Sequence, residues 1–141
     1  MSQALTDARA DVRDIDFLGI SVRAHDGAAQ VCAFVAQEGP LAPPHRHAWT
    51  ETHYVLEGEI EYMVAGAVQR VGAGQFLTIP GDTVHALSAV APTVRWLEIT
   101  PAGTAPADFF AQVSREANEL PPDMERLVPI AAQHGVELLL G

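Results

Sequence analysis

The segment between residues 39 and 51 constrains the fold of this chain more than any other stretch. It reads Gly-Pro-Leu-Ala-Pro-Pro-His-Arg-His-Ala-Trp-Thr-Glu, with imidazoles at His45 and His47 and a carboxylate at Glu51. The paired prolines exclude a helix interior, so residues 39–44 are predicted to form a loop. On an extended strand these three odd-numbered side chains point to one face, whereas on a helix His45 and His47 would diverge. The segment therefore predicts extended chain with two histidines and a glutamate on the same side.

The rest of the chain up to residue 100 alternates short apolar runs with turn residues. Over residues 15–35 short apolar stretches alternate with turn signals, with a candidate turn at residues 24–27. Strand formers fill residues 52–56, 60–64, 76–79, 84–90 and 94–99. Glycine, proline and aspartate separate these runs, for example at Gly58, Gly66 and Gly74. Many short strands at a spacing of about ten residues are typical of a β-sandwich or a β-barrel.

The composition changes after residue 100. Residues 106–119 are predicted to form a helix that is capped by Thr104. A second helical segment begins at Pro122, should be kinked or split by Pro129, and ends at Gly135. The sequence leaves open whether these helices cover the mouth of a barrel or pack on its outside.

Composition argues against several classes of function. The 141 residues carry a net charge of −10, which argues against nucleic acid or an anionic membrane as a partner. All eight basic residues are arginine, so Schiff-base chemistry and phosphate binding through lysine are excluded. Cys32, the single cysteine, lies in an apolar run and is expected to be buried rather than nucleophilic. Because the chain has no apolar leader and no apolar run of membrane-spanning length, we expect a soluble cytoplasmic protein.

A third histidine joins the donors of the first segment. His85 follows the turn at residues 80–82. Three imidazoles and one carboxylate that converge on one point form a site for one divalent transition metal ion, such as Fe, Ni, Mn, Cu or Zn. Four protein ligands on a metal that accepts six leave two positions open for a small-molecule substrate, or for a substrate oxygen and dioxygen.

The spacing of these residues resembles the two sequence motifs of the cupin superfamily. The matching positions are Gly39, His45, His47, Glu51 and Gly58 in the first motif and Gly74, Pro80 and His85 in the second. Two positions depart from the family pattern. Asp82 stands where the family usually has glycine, and Ala89 stands where it often has asparagine. Asp82 can still occupy a left-handed turn position, because aspartate tolerates that conformation better than most residues.

The resemblance implies an all-β fold, a double-stranded β-helix (cupin barrel) with a C-terminal helical appendage. The chain would consist of an N-terminal arm over residues 1–14, the barrel over residues 15–100 and a helical tail over residues 101–141. The tail also makes the chain similar to small single-domain cupins of the quercetin dioxygenase-like kind. Proteins of this family usually form homodimers, so we expect a homodimer. By the same resemblance, the metal ligands are His45, His47, Glu51 and His85.

This set of residues leaves three functional hypotheses open. The leading one is a dioxygenase-like enzyme that acts on a small hydroxylated aromatic or enolisable molecule, with Glu51 or His53 as the proton acceptor. The second is a redox-neutral, metal-dependent isomerase, lyase or decarboxylase. The third is a small-molecule- or metal-binding protein without catalysis, since a fold and a site do not guarantee turnover.

Two residues near the proposed ligands have alternative roles. His53 shares the parity of Glu51 and should point into the interior. There it is either an acid/base that faces the substrate or supports the ligands from behind, or a core histidine with a hydrogen bond to a backbone carbonyl. Trp49, which lies between the ligands, is expected to have a packing role rather than to form a wall of the pocket.

Overall fold

Two long, bent strands organise the chain. The structure, a computed structural model, describes residues 11–139. Its elements in chain order are β1 (Val12–Phe17), β2 (Ile20–Asp26), β3 (Gln30–Arg46), β4 (Glu51–Glu57), β5 (Glu59–Val64), β6 (Ala67–Gly72), β7 (Phe76–Ile79), β8 (His85–Thr100), α1 (Pro106–Glu116), α2 (Met124–Gln133) and β9 (Glu137–Leu138).

Strands β3 and β8 pair with each other along their length, from Gln30 opposite Thr100 to His45 opposite His85. The beginning of β8 also pairs with β5, and its end pairs with β4. The order of the sheet is β1-β2-β3-β8-β4-β7, with β6 beside β5 and β9 beside the end of β3. Because each half of β8 has a different second partner, the strands wrap around one interior and form a barrel.

The interior of the barrel is filled by side chains that alternate along the strands. Val55, Ile60, Tyr62 and Ile79 are fully buried, and Trp96 is 2% exposed. A second apolar cluster forms where α1 and α2 pack together, and Phe17 and Phe110 contact both clusters. The helical region is therefore joined to the barrel by continuous apolar contact, which is the main source of stability in such a domain.

The loop that we predicted for residues 39–44 is instead part of β3, so that prediction was wrong. The pairing between β3 and β8 continues through it, with register shifts between Gln37 and Gly39, between Pro40 and Ala42, and between Ala42 and His45. Proline cannot donate to the ladder, but strands accommodate it at bulges. The bulges thus absorb the prolines and carry the strand on to His45.

The two C-terminal helices are present, but their ends differ from the prediction. Helix α1 ends at Glu116, and its N-cap is Ala105 without a side-chain cap. The hydroxyl of Thr104, the predicted cap, instead forms a hydrogen bond with Thr100. Helix α2 is continuous through Pro129, so of the two predicted outcomes the split was wrong, and the kink stays a prediction. Burial of the apolar face of α2 against α1 compensates for the hydrogen bond that Pro129 lacks.

The structure confirms an all-β fold with a C-terminal helical appendage. The chain reverses at Gly135 with a φ of +76°, as predicted for the end of the second helix. Strand β1 begins at Val12, within the segment that we assigned to an arm, while residues 1–10 of that segment lie outside the described residues. Among the described residues, no helix has the length and apolar character needed to cross a membrane.

Candidate metal centre

Three histidines meet where β3 ends and β8 begins. His45 and His85 are register partners, and their ring centroids are 4.1 Å apart. The ring of His47, just after β3, lies 5.1 Å from that of His85. One ring nitrogen of each histidine lies within 4.8 Å of those of the other two. The pairing of the two long strands therefore brings together imidazoles from distant parts of the chain.

One ring nitrogen of each of these histidines is held by a backbone carbonyl oxygen. The pairs are Nδ1 of His45 with Pro43 (2.7 Å), Nδ1 of His47 with Trp49 (3.0 Å) and Nδ1 of His85 with Thr83 (2.8 Å). Because a carbonyl oxygen only accepts, Nδ1 must carry the hydrogen, and the neutral ring then has its lone pair on Nε2. Histidines that bind metals are typically oriented in this way.

The carboxylate of Glu51, the first residue of β4, faces the same nitrogens. Its Oε1 lies 2.9 Å from Nε2 of His85, and its Oε2 lies 3.6 Å from Nε2 of His47. The closer approach lacks the angle of a hydrogen bond, and Nε2 of His85 has no hydrogen-bond partner among the described residues. Burial alone would lower the pKa of His85, but its contacts with Glu51 and with the Thr83 carbonyl raise that pKa, so a proton on Nε2 suits this contact. When the ring is neutral, two lone pairs face each other at this distance and repel unless a cation lies between them. Three imidazoles and a carboxylate fit a divalent first-row transition metal in that role.

Burial and neighbouring charges set the protonation states of these donors. Burial, together with the nearby His85, lowers the pKa of His45 to about 4, so this ring is neutral at pH 7. Burial alone would raise the pKa of Glu51, but its contacts with His47, His53 and His85 hold that pKa well below its usual range. A neutral imidazole and an ionised carboxylate are the forms that bind metal ions.

His53 lies in the interior, as its parity predicts, and is fully buried. Its Nδ1 forms a 2.8 Å hydrogen bond with the hydroxyl of Tyr62 rather than with a backbone carbonyl. Its Nε2 lies 3.2 Å from Oε1 of Glu51 and 3.7 Å from Oε2 of Glu98. His53 therefore lies between two carboxylates.

Glu98, which belongs to no motif of the sequence, lies beside the centre. It pairs with His53 across β4 and β8. Its Oε2 accepts a 2.9 Å hydrogen bond from Nε1 of Trp96, and burial raises its pKa. The sequence feature that could have indicated Glu98 is the alternation along β8, in which the even-numbered residues Val94, Trp96 and Thr100 are buried. This alternation directs residue 98 inward, where a carboxylate needs a partner.

One cavity in the described residues joins the centre to an apolar chamber. His45, His47, Glu51 and Glu98 line it together with aromatic side chains. Phe109 and Phe110 of α1, Leu127 of α2 and Leu138 of β9 also line it. The helical tail therefore covers the mouth of the barrel, and this decides the alternative that the sequence left open.

Aromatic rings form the walls of this cavity. Phe34 and Trp96 stack with their ring centroids 4.8 Å apart and an interplanar angle of 6°. Trp49 lines the cavity and stacks on His47 with a centroid distance of 4.1 Å. The expectation that Trp49 only packs was thus incomplete, since the residue both orients a proposed ligand and forms part of the wall.

The turn before β8 supports the segment that carries His47. The backbone N–H of Asp82 donates to the carbonyl oxygen of His47 at 2.7 Å, and the N–H of Gly81 donates to the hydroxyl of Thr50. Asp82 has a φ of +61°, which is the left-handed conformation expected at this position. The segment that carries His47 and the turn before His85 are therefore held together by two hydrogen bonds from backbone N–H groups.

Comparison with known proteins identifies the class of the fold. Residues 34–100 match the family model of the cupin domain. Oxalate decarboxylase from Bacillus subtilis superposes with a TM-score of 0.61 at 15% identity, covering 72% of this chain and 31% of that chain. A search of curated proteins found no significant match. Residues 34–100 are thus similar to the cupin domain, and the chain as a whole has the jelly-roll fold of that domain.

Two shorter solved structures share the fold over most of their length. The polyketide cyclase RemF from Streptomyces resistomycificus has a TM-score of 0.55 at 24% identity, covering 70% of this chain and 80% of that one. KdgF from Halomonas sp. has a TM-score of 0.56 at 22% identity, covering 72% and 94%. The chain thus spans about a third of the oxalate decarboxylase but most of these two proteins. Identities at this level support the fold alone.

Proposed function

We propose that this protein is a metal-dependent, dioxygenase-like cupin enzyme that acts on a small hydroxylated aromatic or enolisable molecule. The observation that carries the proposal is the shared cavity, in which three of the proposed ligands, His45, His47 and Glu51, line a chamber with aromatic walls. Such a chamber favours a planar, largely apolar substrate. No arginine lines the cavity among the described residues, which argues against a highly phosphorylated substrate.

The proposed ligands are His45, His47, Glu51 and His85. The carbonyl contacts of the three Nδ1 atoms and the unpartnered Nε2 of His85 support this assignment. A divalent transition metal ion (Fe, Ni, Mn, Cu or Zn) would supply Lewis-acid activation and open positions for substrate oxygen.

Glu51 is the proposed proton acceptor for the hydroxyl or enol of the substrate. It lines the cavity, and its carboxylate is ionised. His53 lies beneath Glu51 and is not among the residues that line the cavity, so we propose that it acts through Glu51 as a positioning residue. The rings of Phe34 and Trp96 would hold the substrate ring and exclude water from the proton transfer.

A redox-neutral reaction is the second candidate. One carboxylate oxygen of Glu51 lies within 4.8 Å of one of Glu98. Two carboxylates at this separation suit a reaction in which one removes a proton from the substrate and the other returns it at a neighbouring position. Two solved structures with this fold are named a decarboxylase and a cyclase. An isomerase, lyase or decarboxylase reaction would use the same ligands without consuming oxygen.

The test begins with protein that is purified without an affinity tag, analysed for metals and then reconstituted anaerobically with Fe(II), Ni(II) or Mn(II). Oxygen uptake is measured with flavonols and catechols, with the exposed His25→Gln variant as a control. We expect uptake that needs both metal and substrate and that is lost in Glu51→Ala. Product formation at the same rate without oxygen would favour the redox-neutral reaction. Failure to retain any metal, or full turnover by Glu51→Ala, would contradict the proposed roles.

A further inference from the structure

Glu98 has an acceptor oxygen that the protein itself does not use. Its Oε2 is held by the indole N–H of Trp96, while its Oε1 has no hydrogen-bond partner among the described residues. The side chain is 15% exposed and lines the cavity. In a cavity with largely apolar walls, an unused carboxylate oxygen is a strong site for a hydrogen-bond donor.

The position of Glu98 relative to Glu51 limits what it can contact. Ligand atoms of the two carboxylates lie within 4.8 Å of each other. For a molecule whose oxygen occupies the metal centre beside Glu51, a substituent on the neighbouring ring atom is therefore within reach of Glu98. Trp96, stacked on Phe34 and 2% exposed, holds the carboxylate in place.

We propose that Glu98 is a specificity residue, which accepts a hydrogen bond from a second hydroxyl or amino group next to the substrate oxygen at the centre. This assignment rests on the proposed function, because it takes the first oxygen to be held by the metal. The site would then select catechol-like molecules over those in which the neighbouring hydroxyl is methylated. Methylation removes the donor, and Oε1 is then desolvated without a partner.

The substitution Glu98→Gln tests this role because Trp96 determines how the new amide is oriented. The indole N–H needs an acceptor, so it takes the amide oxygen and turns the NH2 group toward the cavity. A donor then replaces an acceptor at nearly constant side-chain volume. In the double variant Trp96→Phe/Glu98→Gln the amide is free to rotate and can again offer its oxygen.

The experiment uses Co(II)-loaded protein under anaerobic conditions and two chromophoric probes, 4-nitrocatechol and its monomethyl ether 4-nitroguaiacol. Their dissociation constants are measured by absorbance titration, and Co(II) binding is measured separately by calorimetry. We expect wild type and the exposed control Glu57→Gln to prefer 4-nitrocatechol. The preference should fall about tenfold or more in Glu98→Gln and recover in part in the double variant, with Co(II) binding retained.

The possible failures are distinguishable. If wild type does not bind Co(II), the proposed function fails and the Glu98 assignment fails with it. If Co(II) binds but wild type binds neither probe, or Glu98→Gln keeps the wild-type preference, only the Glu98 assignment is overturned. A recovered preference in the double variant supports a hydrogen-bonding role, because a merely structural role would make that variant worse than the single one.

Discussion

At the scale of single residues, the centre depends on which nitrogen of each histidine carries the hydrogen. The carbonyl oxygens of Pro43, Trp49 and Thr83 fix the hydrogen on Nδ1 and leave Nε2 for the metal. These acceptors lie within two residues of their histidines, so the local chain conformation orients each ring. This second layer of contacts gives the site its geometry before any metal arrives.

Removal of one imidazole should abolish tight metal binding. We expect His85→Gln to weaken Co(II) binding by more than about 100-fold, because ligand loss exceeds the 10- to 100-fold effect typical of outer contacts. Calorimetric titration with Co(II) measures this. His25→Gln, at an exposed histidine of β2, should bind as wild type does. If His85→Gln binds Co(II) with the affinity of wild type, His85 is not a metal ligand.

Cys32 should be unreactive in the folded protein. It is 1% exposed, and burial raises the pKa of its thiol to about 12, so almost no thiolate exists at pH 8. A disulfide reagent such as Ellman's reagent should label the native protein far more slowly than the protein in denaturant. Rapid labelling without denaturant would show that the β3 segment opens readily.

At the scale of elements, the turn at residues 80–83 connects the two motifs of the site. A methyl group on Gly81 would collide with the carbonyl oxygen of Ala48, which lies in the segment between His47 and Glu51. Both β3 and β8 thus depend on this turn for their relative position. The absence of a side chain at residue 81 is a packing requirement rather than a matter of backbone conformation.

We expect Gly81→Ala to destabilise the protein by about 1–3 kcal/mol and to weaken Co(II) binding, because the clash is relieved by moving the segment that carries His47. Gly72→Ala is the matched control, since its added methyl group would make only ordinary contacts. Urea unfolding and Co(II) titration measure the two effects. If the Gly81 variant is destabilised but its affinity for Co(II) is unchanged, the turn does not position the residues of the centre.

At the scale of the whole molecule, the barrel supplies the donors and the tail forms one wall of the chamber. Residues of α1, α2 and β9 line the same cavity as His45 and Glu98. Division of the chain into an arm, a barrel and a tail stays a prediction, as do the homodimer and the cytoplasmic location. Sedimentation analysis would measure the oligomeric state directly.

A bound metal should stabilise the whole fold, because the proposed ligands come from β3, β4, β8 and the segment after β3. At a free Co(II) concentration 100 times the dissociation constant, linkage predicts about 2.7 kcal/mol, or a rise in Tm of about 10 °C. Thermal unfolding with and without Co(II) measures this. The rise should vanish in His85→Gln, and a rise that persists there would indicate metal binding elsewhere.

The sequence by itself indicated the short strands of a sandwich or a barrel, since period-two alternation and turn residues are local properties of the chain. The resemblance to the cupin motifs then selected the barrel and suggested the four ligands, which stay a proposal. The sequence also indicated the inward orientation of His53 and the left-handed turn at Asp82. Only the tertiary structure decided the rest: the bulges that carry β3 through its prolines, the continuity of α2, the place of the tail against the cavity, and the position of Glu98 beside the centre. Each depends on contacts between residues far apart in the chain, and no local pattern specifies such contacts.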